Sequence, residues 1–252
     1  MHSDAAALVH CAVADAVATI TLDSPANRNA LSHQLVSELL AHLDTVGDDD
    51  AVRVVLIESS GSVFCSGADL TEASAEGMEA GTRRIVDLQR LITTLDKPVV
   101  TKNLGAVRAG GIGIIAAADI AISAEEATFA LTEVKLGLAA AIISLTVHHR
   151  MNPRAAALTT LGGEVFSGLE AAAYGLVTRA VPVDRLDDEV AEVCASLATG
   201  APQGLRESKR ILNRDLVARI DALGEEMAAT STRLFASDEA REAMTAFLSR
   251  RR

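Results

Sequence analysis

The sequence predicts an α/β fold that ends in a helical region, and three observations carry that expectation. Short β-branched runs alternate with amphipathic stretches as far as about residue 185. The run Val52–Ile57 is apolar without alternation, as a strand covered on both faces is. Beyond Arg185 only helical periodicity remains. These features divide the chain into a core over residues 1–195 and a helical appendage over 196–252.

Leu8–Val13 and Val17–Leu22 read as two strands around the tight turn Ala14-Asp15-Ala16. After the polar loop Asp23–Asn29, Ser32 is placed to cap a helix over His33–Val46, with Leu35, Leu39, Leu40 and Leu43 on one face. Strand Val52–Ile57 leads into a long loop, Glu58–Leu70, of small side chains suited to bringing backbone against a ligand. Gly77 and Gly81 bound a stretch expected to be mobile, ahead of a helix over Thr82–Leu95. Strand Pro98–Thr101 then enters the glycine-rich segment Gly105–Asp119.

Past that segment, Ile120–Ser123 and Thr128–Ala130 read as strands and Leu131–Gly137 as a turn. Helices are expected at Ile142–Arg150, Pro153–Leu161 and Leu169–Tyr174, and a strand at Leu176–Val181. From Leu186 onward the chain reads as helices Leu186–Ala198, Pro202–Val217, Ile220–Leu234 and Ser237–Arg250. Met244, Phe247 and Leu248 form the apolar face of the last one. No internal repeat of fixed period is visible.

Aromatic residues make up only 2% of the 252 residues and Trp is absent, so the core is built from Ala, Val, Leu and Ile. A net charge of −11 argues against nucleic acid, which needs concentrated Lys and Arg. The Arg250–Arg252 end is too short to change that. Three widely spaced cysteines (Cys11, Cys65, Cys194) fit reduced thiols better than a disulfide framework. The N-terminal stretch has no basic region of the signal-peptide type, and the apolar run Ile112–Ile122 is too short to span a membrane and contains Asp119. A cytoplasmic protein is the expectation.

Glycines 110, 111 and 113 leave N–H groups bare where a helix starts, which suits an anion or a developing negative charge. Gly111–Ala116 matches G-x-G-x-x-A with Glu133 about twenty residues on, as a dinucleotide site would have. However, Asn103–Gly110 separates the motif from its strand, which disfavours that reading. Cys65 and Ser66 lie outside any nucleophile elbow. His148-His149 are adjacent and do not share a helix face, so they make a poor metal pair. A third arrangement fits better. The loops Cys65–Asp69 and Ala109–Gly113 each follow a buried strand, so one N–H from each can converge on a single carbonyl oxygen. Glu133, at the end of a later strand, is placed to act as acid/base on the same molecule.

The segments LDSPANRNALS (Leu22–Ser32), FCSGADL (Phe64–Leu70), Ala109–Asp119, TEVKLG (Thr132–Gly137) and the tail AREAMTAFL (Ala240–Leu248) together resemble the crotonase superfamily of enoyl-CoA hydratases and isomerases. The resemblance covers nearly the whole chain, with the motifs in order. It implies a spiral of ββα units with a C-terminal helical trimerisation region, and an acyl-CoA thioester as substrate, held as an enolate. No cofactor is implied beyond the coenzyme A that the substrate carries, and the expected assembly is a homotrimer or a dimer of trimers.

Carried over residue by residue, the resemblance puts the oxyanion N–H groups at Ala68 and Gly110 and the catalytic acid at Glu133. It puts substrate and CoA contacts at Arg28, Ala30, Ser66, Asp69, Leu70, Gly111, Gly113 and Ala141. Family hydratases carry two glutamates, six residues before and fourteen after the aspartate matched by Asp119. The second is Glu133, but the first position is Gly113. Leu138-Ala139-Ala140-Ala141 also replaces the family's usual Pro and Gly. One acid can move one proton between two carbons, so the pattern implies double-bond isomerisation ahead of water addition. A conventional hydratase, or an acyl-CoA binder with weak catalysis, is the alternative.

Overall fold

A computed structural model describes residues 6–72 and 79–249, with the side chains of Phe247 and Leu248 outside the description. Strands β1 (Val9–Ala14) and β2 (Val17–Leu22) form an antiparallel hairpin whose turn residues Asp15 and Ala16 take positive φ. Helix α1 (His33–Asp48) begins where expected, with the Ser32 side chain accepting a hydrogen bond from Leu35 N. Leu35, Leu39 and Leu43 are fully buried, each worth about 1.5–3 kcal/mol of transfer free energy. Leu40 is only partly buried and packs at the edge of that core.

The remaining strands come in pairs that feed two sheets. β3 (Val54–Ser59), β5 (Val99–Asn103), β7 (Ile120–Ala124) and β10 (Arg179–Val181) join a six-stranded sheet in the order β1-β2-β3-β5-β7-β10. The strands β4 (Val63–Cys65), β6 (Ala106–Arg108) and β8 (Thr128–Ala130), which follow β3, β5 and β7, join β9 (Phe166–Ser167) in a second sheet of order β4-β6-β8-β9. Each turn of the chain therefore lays one strand in each sheet. Cys65 pairs Val107 and Val107 pairs Phe129 in parallel register, so successive turns stack like coils of a spring. The spiral expected from the sequence is present.

Helix α2 (Glu79–Thr94) follows β4, and α3 (Gly110–Ala117) follows β6. All eight residues of α3 are buried, which its Gly/Ile/Ala composition permits. Helices α4 (Ser144–Arg150), α5 (Pro153–Gly162) and α6 (Gly168–Ala173) follow β8, with the short strand β9 (Phe166–Ser167) between the last two. The expected strand Leu176–Val181 is shorter: only Arg179–Val181 pair, as β10, in parallel with β7. Of the stretch expected to be mobile, Gly77 lies outside the described residues and Gly81 lies inside α2.

The C-terminal region consists of α7 (Leu186–Ala198), α8 (Pro202–Phe235) and α9 (Asp238–Ser249). The two helices expected over Pro202–Val217 and Ile220–Leu234 are one continuous helix of 34 residues, because nothing between them breaks it. A buried polar knot fastens α8 to the core. Lys209 Nζ lies 2.7 Å from Asp119 Oδ2 and donates to the carbonyls of Ile92 and Lys97. Asn213 donates to Asp119 Oδ1 at 2.8 Å and accepts from Arg150. Leu216 and Ile220 add an apolar contact with Leu145 of α4.

Candidate active site

In the second sheet, β4, β6 and β8 run parallel, so the loops that leave them open on one edge. These three loops hold Ser66–Leu70, Ala109–Gly110 and Thr132–Leu136. They line a cavity of about 930 Å³ together with Arg28, Ala30, Ala141 and the C-terminal residues Ser231, Phe235, Ala243 and Ala246. The sequence placed the first two loops after β3 and β5. The strands that carry them, β4 and β6, are only three residues long and show no periodicity to read.

The first two loops touch at Gly67. Its φ is +94°, and a β-carbon there would stand 2.9 Å from Ala109 Cβ. Ala109 takes φ 46°, ψ −118°, a conformation that side chains resist, and it immediately precedes α3. Cys65 binds both loops from behind, its Sγ accepting from Gly67 N at 3.4 Å and from Gly111 N. The residues that follow the two contact points are Ala68 and Gly110. Neither N–H donates a hydrogen bond among the described residues, and Gly110 N–H stands at the positive end of α3.

Glu133 opens a 3-10 turn, Glu133–Leu136, that Gly137 closes at φ 69°. Its Oε2 is buried and has no hydrogen-bond partner among the described residues. Burial raises the Glu133 pKa to about 7, opposed in part by a hydrogen bond from its own backbone. The turn is braced from outside by Leu138, Ala240 and Met244, with Phe235 packed alongside, so α9 supports the acid. Cys65 is shifted in the same direction but ends without charge. Burial pushes its thiol up to about 12, and it carries no thiolate at neutral pH.

Two residues expected at the ligand, Gly111 and Gly113, are not among those that line the cavity. A β-carbon on Gly111 would stand 2.6 Å from Cys65 Cβ, so this glycine allows α3 to pack on β4. At Gly113 the space is taken by Ile143, whose Cγ2 would stand 2.6 Å from a β-carbon. Behind it, buried Gln89 accepts from Thr146 Oγ1 at 2.7 Å and donates to the carbonyls of Ile85 and Ile142. Arg28, Ala30, Ser66, Ala68, Asp69, Leu70, Gly110, Glu133 and Ala141 do line the cavity. Sequence reasoning missed Arg108, Ile143 and Phe235. Arg108 lies in the glycine-rich segment Gly105–Asp119 as a charge among apolar residues, which is the available signal.

Residues 12–252 match the model of the enoyl-CoA hydratase/isomerase family. The chain belongs to that family. Its members act on acyl-CoA thioesters. A Thermus thermophilus protein named as a candidate enoyl-CoA hydratase is 35% identical over 78% of this chain and 80% of its own. The mitochondrial enoyl-CoA hydratase domain-containing protein 3 of Danio rerio is 28% identical over 100% of this chain and 89% of its own. Among solved structures, an enoyl-CoA hydratase from Mycobacterium avium superposes with a TM-score of 0.90 at 42% identity, covering 98% of each chain.

Proposed function

We propose that this family member isomerises the double bond of an enoyl-CoA thioester through an enolate, with Glu133 as its single proton shuttle. The observation that carries the reading is the pairing of Glu133, whose buried Oε2 has no partner among the described residues, with a position 113 closed by Ile143. In this scheme the Glu133 carboxylate removes a proton from C2 of a 3-enoyl thioester. The electron pair moves onto the thioester oxygen, where the N–H groups of Ala68 and Gly110 stabilise it. Glu133 then returns the proton at C4, giving the 2-enoyl thioester with no net gain or loss of atoms. Water addition needs a second group to activate or protonate, and position 113 supplies none.

The backbone around Arg28, Ala30 and Asp69 is suited to the nucleotide end of coenzyme A, with exposed Arg28 and Lys135 at the rim of the cavity as phosphate partners. Leu161, Ile211 and Leu212 are more than two-thirds exposed, which supports assembly with further copies as a trimer or a dimer of trimers. No helix among the described residues is long and apolar enough to cross a membrane. The deciding experiment is a paired assay of purified protein on a 3-enoyl-CoA and a 2-enoyl-CoA. Isomerisation faster than hydration is the expected result. Equal or faster hydration would sink the reading, and acyl-CoA binding without turnover would favour a binding protein.

A further inference from the structure

The Cys65 side chain is fully buried, and the proton shuttle gives it no chemistry. It is the last residue of β4, and its register partner Val107 belongs to β6, so it lies beneath both loops that carry the oxyanion donors. A β-carbon on Gly111 would stand 2.6 Å from Cys65 Cβ and 3.1 Å from its Sγ. The first turn of α3 therefore rests on this side chain with no room between them.

Each loop presents two successive N–H groups at that point, Gly67 and Ala68 on the first, Gly110 and Gly111 on the second. Ala68 and Gly110 line the cavity, whereas Gly67 and Gly111 do not. Cys65 Sγ accepts from Gly67 N at 3.4 Å, and the Gly111 N–H is directed at the same sulfur. One atom thus engages the inner donor of each loop, and the outer donor of each is left for a ligand. Helix α3 has no side-chain cap of its own, since its N-cap residue is Ala109. Its first N–H groups need an acceptor from elsewhere, and Cys65 supplies one from a different strand. A sulfur also suits the spacing. Its N–H···S contact is 3.4 Å long, whereas a hydroxyl oxygen draws an N–H donor to about 2.9 Å. Given the oxyanion site in the reading above, we infer that Cys65 is a positioning residue, whose Sγ holds Gly67 and Gly111 so that the N–H groups of Ala68 and Gly110 converge on the thioester carbonyl. Donors fixed before charge develops are the ones that stabilise it, so the effect belongs to the chemical step and not to binding.

The test is the infrared stretch of the carbonyl in bound butanoyl-CoA, labelled with carbon-13 at that carbon, beside steady-state kinetics. Butanoyl-CoA has no double bond to move, so the readout is independent of which reaction is run. Wild-type protein is expected to lower the stretch relative to free ligand. Cys65→Ala keeps the β-carbon and removes the acceptor. It should lose at least half of that shift and lower kcat by about 10–100-fold, the scale of a misplaced catalytic group, with KM within a small factor of wild type. Cys65→Ser keeps an acceptor at a shorter contact and should fall between the two. A folded Cys65→Ala protein with the wild-type shift and kcat would overturn the inference. So would a matching loss of affinity for free CoA, which would make the residue a general packing element. If Cys65→Ala does not fold, an unchanged stretch and kcat in Cys65→Ser would overturn it alone. Absence of any shift in the wild type would remove the oxyanion reading and this inference with it, a result distinct from a shift that survives loss of the sulfur.

Discussion

The Cγ2 methyl of Ile143 lies 2.6 Å from where a β-carbon on Gly113 would stand, nearer than two carbons can approach. The two residues therefore exclude each other's side chains: whatever side chain enters at 113 must first move Ile143. Gly113→Glu is accordingly expected to destabilise the protein by about 1–3 kcal/mol, the usual cost of overpacking, and to bring no gain in hydration. Adding Ile143→Ala should recover part of the stability. Thermal melts and a hydration assay on both variants check this, and a hydratase made by Gly113→Glu alone would contradict it.

Glu133→Gln preserves shape and removes the base. Turnover is expected to fall by roughly 10²–10⁴-fold while acyl-CoA affinity stays within a small factor of wild type. Steady-state kinetics beside a binding titration separate the two effects. An unchanged rate would leave Glu133 as a structural residue of its turn.

The pH dependence follows from the burial of the same carboxyl. With its pKa raised to about 7, Glu133 is protonated below neutrality and cannot accept a proton, so kcat/KM should rise with pH through an inflection near 7. Stability runs the other way. A carboxyl whose folded pKa exceeds its unfolded value contributes stability below about 4.5 that is lost as pH rises through about 7. Glu133→Gln should therefore raise Tm at pH 8 more than at pH 5. Scanning calorimetry at the two pH values gives the answer.

Gly67→Ala tests the contact between the two loops. It asks a side chain to adopt φ +94° and to stand 2.9 Å from Ala109 Cβ. A loss of about 1–3 kcal/mol is expected, together with a fall in kcat larger than any change in KM, because Ala68 follows directly. Wild-type kcat in a folded Gly67→Ala protein would show that the loops need not meet there.

Lys209→Met removes the cation from the knot that holds α8. Asp119 keeps Val99 N and Asn213 as donors but loses its charge partner in a buried setting. Breaking one side of such a pair costs about 3–5 kcal/mol. Denaturant unfolding of the variant measures it, and a change within experimental error would mean that the ion pair contributes nothing net.

Much of this architecture is legible from local signals. Thr128–Ala130 and Leu186–Ala198 have the bounds that their patterns indicate, and Ser32 caps α1 as its side chain suggests. What escapes the sequence depends on neighbours. β4, β6 and β9 exist because adjacent coils of the spiral pair with them, not through any preference of two or three residues. The continuity of α8 is hidden because its buried face includes Lys209, Asn213, Gly224 and Ser231, which read as solvent-facing. At the site, Glu133 and the two loops could be found from spacing. The inward or outward aspect of Gly111 and Gly113 could not, since a glycine has no side chain to show which way it faces.

The unspent donors of this site belong to the main chain, at Ala68 and Gly110, whereas its acid is a side chain. Main-chain donors survive almost any codon change that leaves the backbone path intact. A carboxylate can be gained or lost at one base, since glutamate and glycine codons differ by a single nucleotide. Genetic drift in such a fold would therefore move proton chemistry first and leave the electrostatic cradle for last, so the choice of reaction would rest on the most easily changed letters in the gene.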